Sequence, residues 1–342
     1  MGVAPLIDAG GGSGGAAGFG GAGASSGSGG AFEPRCGTLD DGAEVLADDL
    51  VNIRYPETDG THLYYPFHAG GPDVYVIRLY KLGLEVGAPL EEIHTGSGYV
   101  MGFVLGQEHV WWAQRPSMDV PTPSDLADWN LSRVPKSGGA VQVMVKGRVG
   151  GINTSPAGVI VARARSDSSE GGGVFQLVPW AGGPPTDACE FGAVDWFAAN
   201  ASAVAWIHFR AIETCPLAGG APVEVLALSE LSRAFTVDAT HAYWRDSSGI
   251  YRVPLAGGER ETVTASAEPA LYGPASLILD GEEIYFVEGS RIQRVARTGG
   301  VSREVVPLQN EGIAFFTLSA THVYWGEGKS SNALICVKRK LK

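Results

Sequence analysis

Residues 234–263 read AFTVDATHAYWRDSSGIYRVPLAGGERETV, and no other stretch constrains the fold of this chain as tightly. Four short apolar runs (AFTV, HAYW, GIYRVPL and ETV) are separated by joints of turn residues: Asp238-Ala239-Thr240, Asp246-Ser247-Ser248-Gly249 and Gly257-Gly258. Asp and Ser side chains cap local N–H groups and Gly supplies positive φ, so each joint reverses the chain. Four runs with three reversals predict a four-stranded antiparallel meander.

The second run recurs seven times, at His62–Tyr65, His109–Trp112, Gly158–Val161, Ala203–Trp206, His241–Trp244, Glu283–Phe286 and His322–Trp325. The spacings are 47, 49, 45, 38, 42 and 39 residues. Adjacent residues in most copies are both large and apolar, the pattern of a strand whose sheet is covered on both faces. One such sheet per repeat, covered by its neighbours, predicts a β-propeller. Inner strands are expected ahead of each copy, at 52–55, 100–104, 149–153, 196–199, 235–237, 277–279 and 315–318. Five third strands run into a diglycine: Gly138-Gly139, Gly182-Gly183, Gly219-Gly220, Gly257-Gly258 and Gly299-Gly300. A two-residue hairpin there needs positive φ at both positions, which glycine adopts without strain.

From Gly37 onward no segment of helical length shows a period of 3.6 residues. The fold class expected is all-β: a single seven-bladed β-propeller of four-stranded antiparallel blades over 37–342. The seventh repeat lacks an outer strand after Leu334–Lys338. Ala43–Ala47 is expected to pair with that last blade and close the ring, removing an open edge.

Ahead of this domain, residues 1–36 are expected to be a disordered Gly/Ser/Ala-rich leader or stalk, because AGGGSGGAAGFGGAGASSGSGG carries too few apolar side chains to offset ordering. The chain as given shows no signal peptide, and no apolar run is long enough to span a membrane. A formal net charge of −12 argues against a nucleic-acid partner. The four cysteines (Cys36, Cys189, Cys215 and Cys336) form no C-x-x-C pair. They are compatible with four buried thiols or with two disulfides, Cys36–Cys336 within the last blade and Cys189–Cys215 between neighbouring sheets.

Copies such as DATHAYWRDSSGIYRVPLAGG and SATHVYWGEG resemble the YWTD, NHL and TolB-like propeller superfamily, nearest to bacterial secreted or lipoprotein propellers with THVYW…IxRVPLxGG repeats. The resemblance spans roughly 37–342 and rests on turn and packing residues. It implies the fold and an extracytoplasmic location (cell surface, periplasm or secreted), with the leader as a stalk. It implies no activity, since members are mostly binding scaffolds or uncharacterised.

Four repeats carry His at the turn into the second strand: His62, His109, His241 and His322. Repeat-locked turn chemistry accounts for them better than a metal rim. Likewise Tyr64-Tyr65, Trp111-Trp112, Tyr243-Trp244 and Tyr324-Trp325 fit inter-blade core better than a sugar platform. No cofactor or metal is expected. The departures from the repeat are more informative, because the connections between second and third strands are long in the first three repeats and short in the fourth to sixth. Insertions in a repeat fold map to loops on one face. The candidate partner-binding residues there are Phe67, His68, Arg115, Asp119, Trp129, Arg163 and Arg165. The expectation is a non-catalytic binding scaffold, monomeric, with a protein or carbohydrate partner. The alternative is a propeller enzyme, a lyase or hydrolase, at the mouth of the central channel. A purely structural repeat is the third reading.

Overall fold

The computed structural model describes residues 43–50, 53, 55–69, 76–115, 129–165, 172–192, 194–208, 211–230, 232, 234–265, 277–307, 309, 312–327 and 335–342. The glycine-rich tract, Cys36 and hence the expected Cys36–Cys336 pairing lie outside the described residues.

All 28 described elements are strands. The first, β1 (Glu44–Leu50), precedes six complete blades. Blade one is β2 (Glu57–Thr58), β3 (His62–Ala69), β4 (Val76–Gly83) and β5 (Leu90–Ser97). Blade two is β6 (Tyr99–Leu105), β7 (His109–Arg115), β8 (Asn130–Pro135) and β9 (Gln142–Lys146). Blade three is β10 (Val149–Ser155), β11 (Gly158–Ala164), β12 (Gly173–Pro179) and β13 (Thr186–Phe191). Blade four is β14 (Trp196–Ala199), β15 (Ala203–His208), β16 (Ala211–Pro216) and β17 (Val223–Ala227). Blade five is β18 (Ala234–Val237), β19 (His241–Arg245), β20 (Gly249–Pro254) and β21 (Glu261–Ala265). Blade six is β22 (Leu277–Asp280), β23 (Glu283–Glu288), β24 (Arg291–Ala296) and β25 (Arg303–Val306). Blade seven is β26 (Ile313–Leu318), β27 (His322–Glu327) and β28 (Ile335–Leu341), with β1 as its outer strand.

Each blade is an antiparallel meander, and each seam between blades is a separate apolar cluster. In the strand-two tetrads the third residue packs forward and the second and fourth pack back. Trp111 meets Val159 and Val161 of blade three, while Val110 and Trp112 meet Tyr64 of blade one. Alternate side chains of a strand point to opposite faces, and here both faces are seams, hence the unbroken apolar run. Tyr324 and Phe315 of blade seven pack on Leu63, Tyr65 and Leu82 of blade one, with Leu46 of β1 in the same cluster. The ring is therefore closed. The chain is a seven-bladed β-propeller.

Closure follows the expected pairing, with Glu44 opposite Arg339, Val45 opposite Lys338 and Leu50 opposite Ile335. The strand runs three residues beyond the expected Ala47. Arg339 of β28 makes two links: Nε donates to Glu44 Oε2 of β1 at 2.7 Å, and Nη1 donates to the Leu84 carbonyl of blade one. The same link recurs around the ring. Arg133 donates to the Trp180 carbonyl and Arg252 to the Arg297 carbonyl, both at 3.1 Å, each reaching the next blade.

The inner strand of blade one departs from expectation. It lies at Glu57–Thr58 instead of 52–55. Tyr55 sits in the left-handed region (φ 49°) and Pro56 has no N–H to donate, so the ladder is interrupted and Ile53 keeps only an isolated bridge to Phe67. The diglycines have positive φ as expected, but not in two-residue hairpins. In blade two a four-residue turn comes first, closed by Gly138 N–H donating to the Pro135 carbonyl at 2.8 Å.

Cys189 of β13 and Cys215 of β16 form a disulfide with Cα atoms 6.5 Å apart, buried in the seam between blades three and four. Replacing Cys189 with Ser should lower stability by about 3 kcal/mol, the scale for a loop of this length. Denaturant titration against the parent checks it, and an unchanged midpoint would show that the seam holds without the bond. Deleting residues 37–50 exposes the β28 edge and should cause aggregation or a large drop in melting temperature.

Candidate functional site

A four-stranded meander sorts its connections by face. Turns from inner to second strand and from third to outer strand share the lower face. Second-to-third connections and crossings to the next blade share the upper face, so the ends of β3, β7 and β11, where the candidate residues lie, are on the upper face.

Several candidates are strand residues. Phe67 pairs with Arg78 in the β3–β4 ladder and packs edge-on to Tyr80 at 6.1 Å, so it belongs to the blade. His68 is also in β3, opposite Ile77. Arg115 ends β7, and Arg163 lies in β11 opposite Val174. These hairpins extend further than their polar composition suggests, because ladder bonds are satisfied whichever side chains flank them. Asp119 lies outside the described residues.

Arg115 and Trp129 come together. The Arg115 guanidinium lies 5.2 Å from the Tyr99 ring and 5.8 Å from the Trp129 ring, a favourable cation–π arrangement. Trp129 leads into Asn130, whose Oδ1 accepts the Gly147 N–H at 3.3 Å. Arg163 donates to the carbonyls of Gly147 and Lys146, both at 3.3 Å. Arg148 donates to the Arg165 carbonyl at 2.7 Å, and the Arg165 side chain pairs with Glu190. An arc of contacts thus carries the guanidinium groups of Arg115, Arg148, Arg163 and Arg165 across blades two and three.

Arg148 and Trp196 were not legible as site residues. Arg148 is hidden in a turn. Trp196 is 43% exposed at the start of β14. The register sets Gly102, Gly151 and Ala234 at the same place in blades two, three and five but Phe315 in blade seven, so residue size there does not single out Trp196.

Three of the four repeat histidines are held by their own blades. Nδ1 of His62, His241 and His322 lies 2.8–2.9 Å from the preceding Thr hydroxyl, with each ring 6.0–6.2 Å from its own Tyr. Asp238 Oδ1 accepts the Thr240 and His241 N–H groups, and Tyr243 donates to Oδ2. Burial pushes this carboxyl up, but those bonds outweigh it and hold it at about 2.

At the lower mouth of the channel, Thr58, Asp59, Gly60, Leu279, Asp280 and Ser319 line a recess of about 420 Å³. Asp59 bonds Lys136 at 2.9 Å and Asp280 pairs with Lys342. Glu57, half-buried on the inner strand, has its carboxyl raised by burial to about 7.

No family model matches the chain, and no curated protein matches it. Solved structures do, at the level of fold. One is a catalytically inactive virginiamycin B lyase from Staphylococcus aureus with Quinupristin, with 12% identity, 81% of this chain and 99% of that chain covered and a TM-score of 0.53. YCF48 bound to D1 peptide shares 10% identity over 88% of this chain and 94% of that one, with a TM-score of 0.56. A chain of the Mitotic Checkpoint Complex shares 8% over 88% and 92%, with a TM-score of 0.59. These likenesses show the propeller fold.

The raised pKa of Glu57 gives a pH signature. The folded state holds its proton to about pH 7 while the unfolded state releases it near 4.5, so this group's contribution to stability is full below 4.5 and is lost as pH rises through 7. Glu57→Gln should therefore raise the melting temperature at pH 8 more than at pH 4. Equal shifts at both pH values would place the carboxyl in contact with water.

Proposed function

We propose that this chain is a non-catalytic recognition scaffold whose partner docks on the upper face over blades two and three. The observation that carries the reading is the cationic and aromatic arc from Arg115 and Trp129 to Arg165, on a chain with a net charge of −12. Aromatic and Arg side chains dominate binding hot spots. The repeats fit the YWTD, NHL and TolB-like group of bacterial secreted or lipoprotein propellers, with the glycine-rich tract as a stalk. The buried Cys189–Cys215 disulfide supports an oxidising, extracytoplasmic setting.

The similar rings include a lyase as well as one bound to a peptide, so fold does not choose between classes. Glu57 favours the second reading, an enzyme at the channel mouth, because a carboxyl near 7 suits a general base. Against it, the neighbouring Asp59 and Asp280 are each committed to a lysine. Recognition is the better-supported function.

Replacing Trp129 and Arg165 together with Ala should abolish capture of the partner in a pull-down from cell-envelope extract, with the melting temperature within a few degrees of the parent. Retained capture would move the site to the channel mouth.

A further inference from the structure

The chemistry of the arc narrows the class of partner. Three observations converge on Arg115 and Arg148. The Arg115 guanidinium is flanked by the rings of Tyr99 and Trp129, with its Nε buried, so that only its terminal Nη groups can meet a ligand. A guanidinium stacked in this way keeps its in-plane N–H groups for a carboxylate, which it receives as a fork. Arg148 occupies the left-handed region, with φ 61°, directly after Gly147 at φ 80°. That conformation costs a non-glycine residue about 1 kcal/mol. One N–H of its guanidinium donates to the Arg165 carbonyl, which fixes the side chain in the arc and leaves four further donors for a ligand. Finally, the cations are strung across two blades instead of converging on one point. Glu190 is the one carboxylate that pairs with the arc among the described residues.

Resting on the reading of the upper face as a recognition surface, we propose that the arc receives an acidic peptide segment of a protein partner. Arg115 takes one carboxylate between Tyr99 and Trp129, and Arg148 holds the next. Carboxylates spaced along an extended chain match a row of cations. A nucleic acid brings a denser, uniform charge that a row of a few separated arginines does not match.

The test is fluorescence polarisation with the full chain and a labelled peptide of about twelve residues alternating Glu and Ala, beside its Gln counterpart; weakening is expected between about 50 and 300 mM salt. The Glu peptide should bind at least about tenfold tighter than the Gln peptide. Arg115→Gln should lower its affinity about tenfold, and Arg115→Lys, which keeps the charge but loses the fork, should restore only part of it. Arg148→Gly is the discriminating variant, because it relieves the strained turn. It should leave the melting temperature unchanged or higher while weakening the peptide about tenfold. A lowered melting temperature with unchanged affinity would make Arg148 structural and overturn the proposal. So would equal affinity for the Glu and Gln peptides, or a single-stranded oligonucleotide of equal charge that competes as well. If the paired Trp129 and Arg165 changes abolish capture of a partner whose docking segment is neutral, the recognition face stands and the acidic class falls.

Discussion

The structure depends on the back-to-back packing of the second strand in each blade. Trp112 belongs to one seam and Trp111 to the next, and each is fully buried. An aromatic side chain buries about 150–250 Å², worth several kcal/mol at about 25 cal/mol per Å². No single blade could bury both faces alone. A blade is stable because its neighbours cover it, and the ring exists because the first and last seams meet.

Polar groups make this apolar stacking specific in register. Asp238 ties its own turn through Thr240 and His241, and Arg297 of blade six reaches back to it at 3.2 Å. Arg252 of blade five in turn donates to the Arg297 carbonyl. The two blades therefore grip each other in both directions at the lower face. Turn chemistry at this rim is spent on assembly, which leaves the upper face to vary.

Most of the architecture was legible because one signal is redundant. The apolar tetrad appears seven times, and its spacing and lack of alternation gave sheet number, coverage and the need for a closing strand. The blade-one inner strand is hidden from sequence because only two residues pair there, and nothing about a Tyr announces a left-handed φ. The site was less legible still. Phe67 looked like a loop aromatic, yet ladder pairing with Arg78 draws it into the blade. Arg115 and Trp129 were visible as types, but their stacking joins residues across a hairpin. Composition cannot show which side of an arginine is covered and which is free.

Closure by β1 also sets an order of events. Glu44 and Arg339, joined in the finished ring, are 295 residues apart in the chain. Contacts of such separation form late, because the loop entropy must be met before they contribute. During synthesis β1 emerges ahead of every other described strand and finds its partner after all of them. Six blades can stack progressively while blade seven keeps an unpaired edge until the end. The molecule is therefore most vulnerable to misassembly at the moment just before its ring shuts, and the rate of that last step governs how much of it reaches the native state.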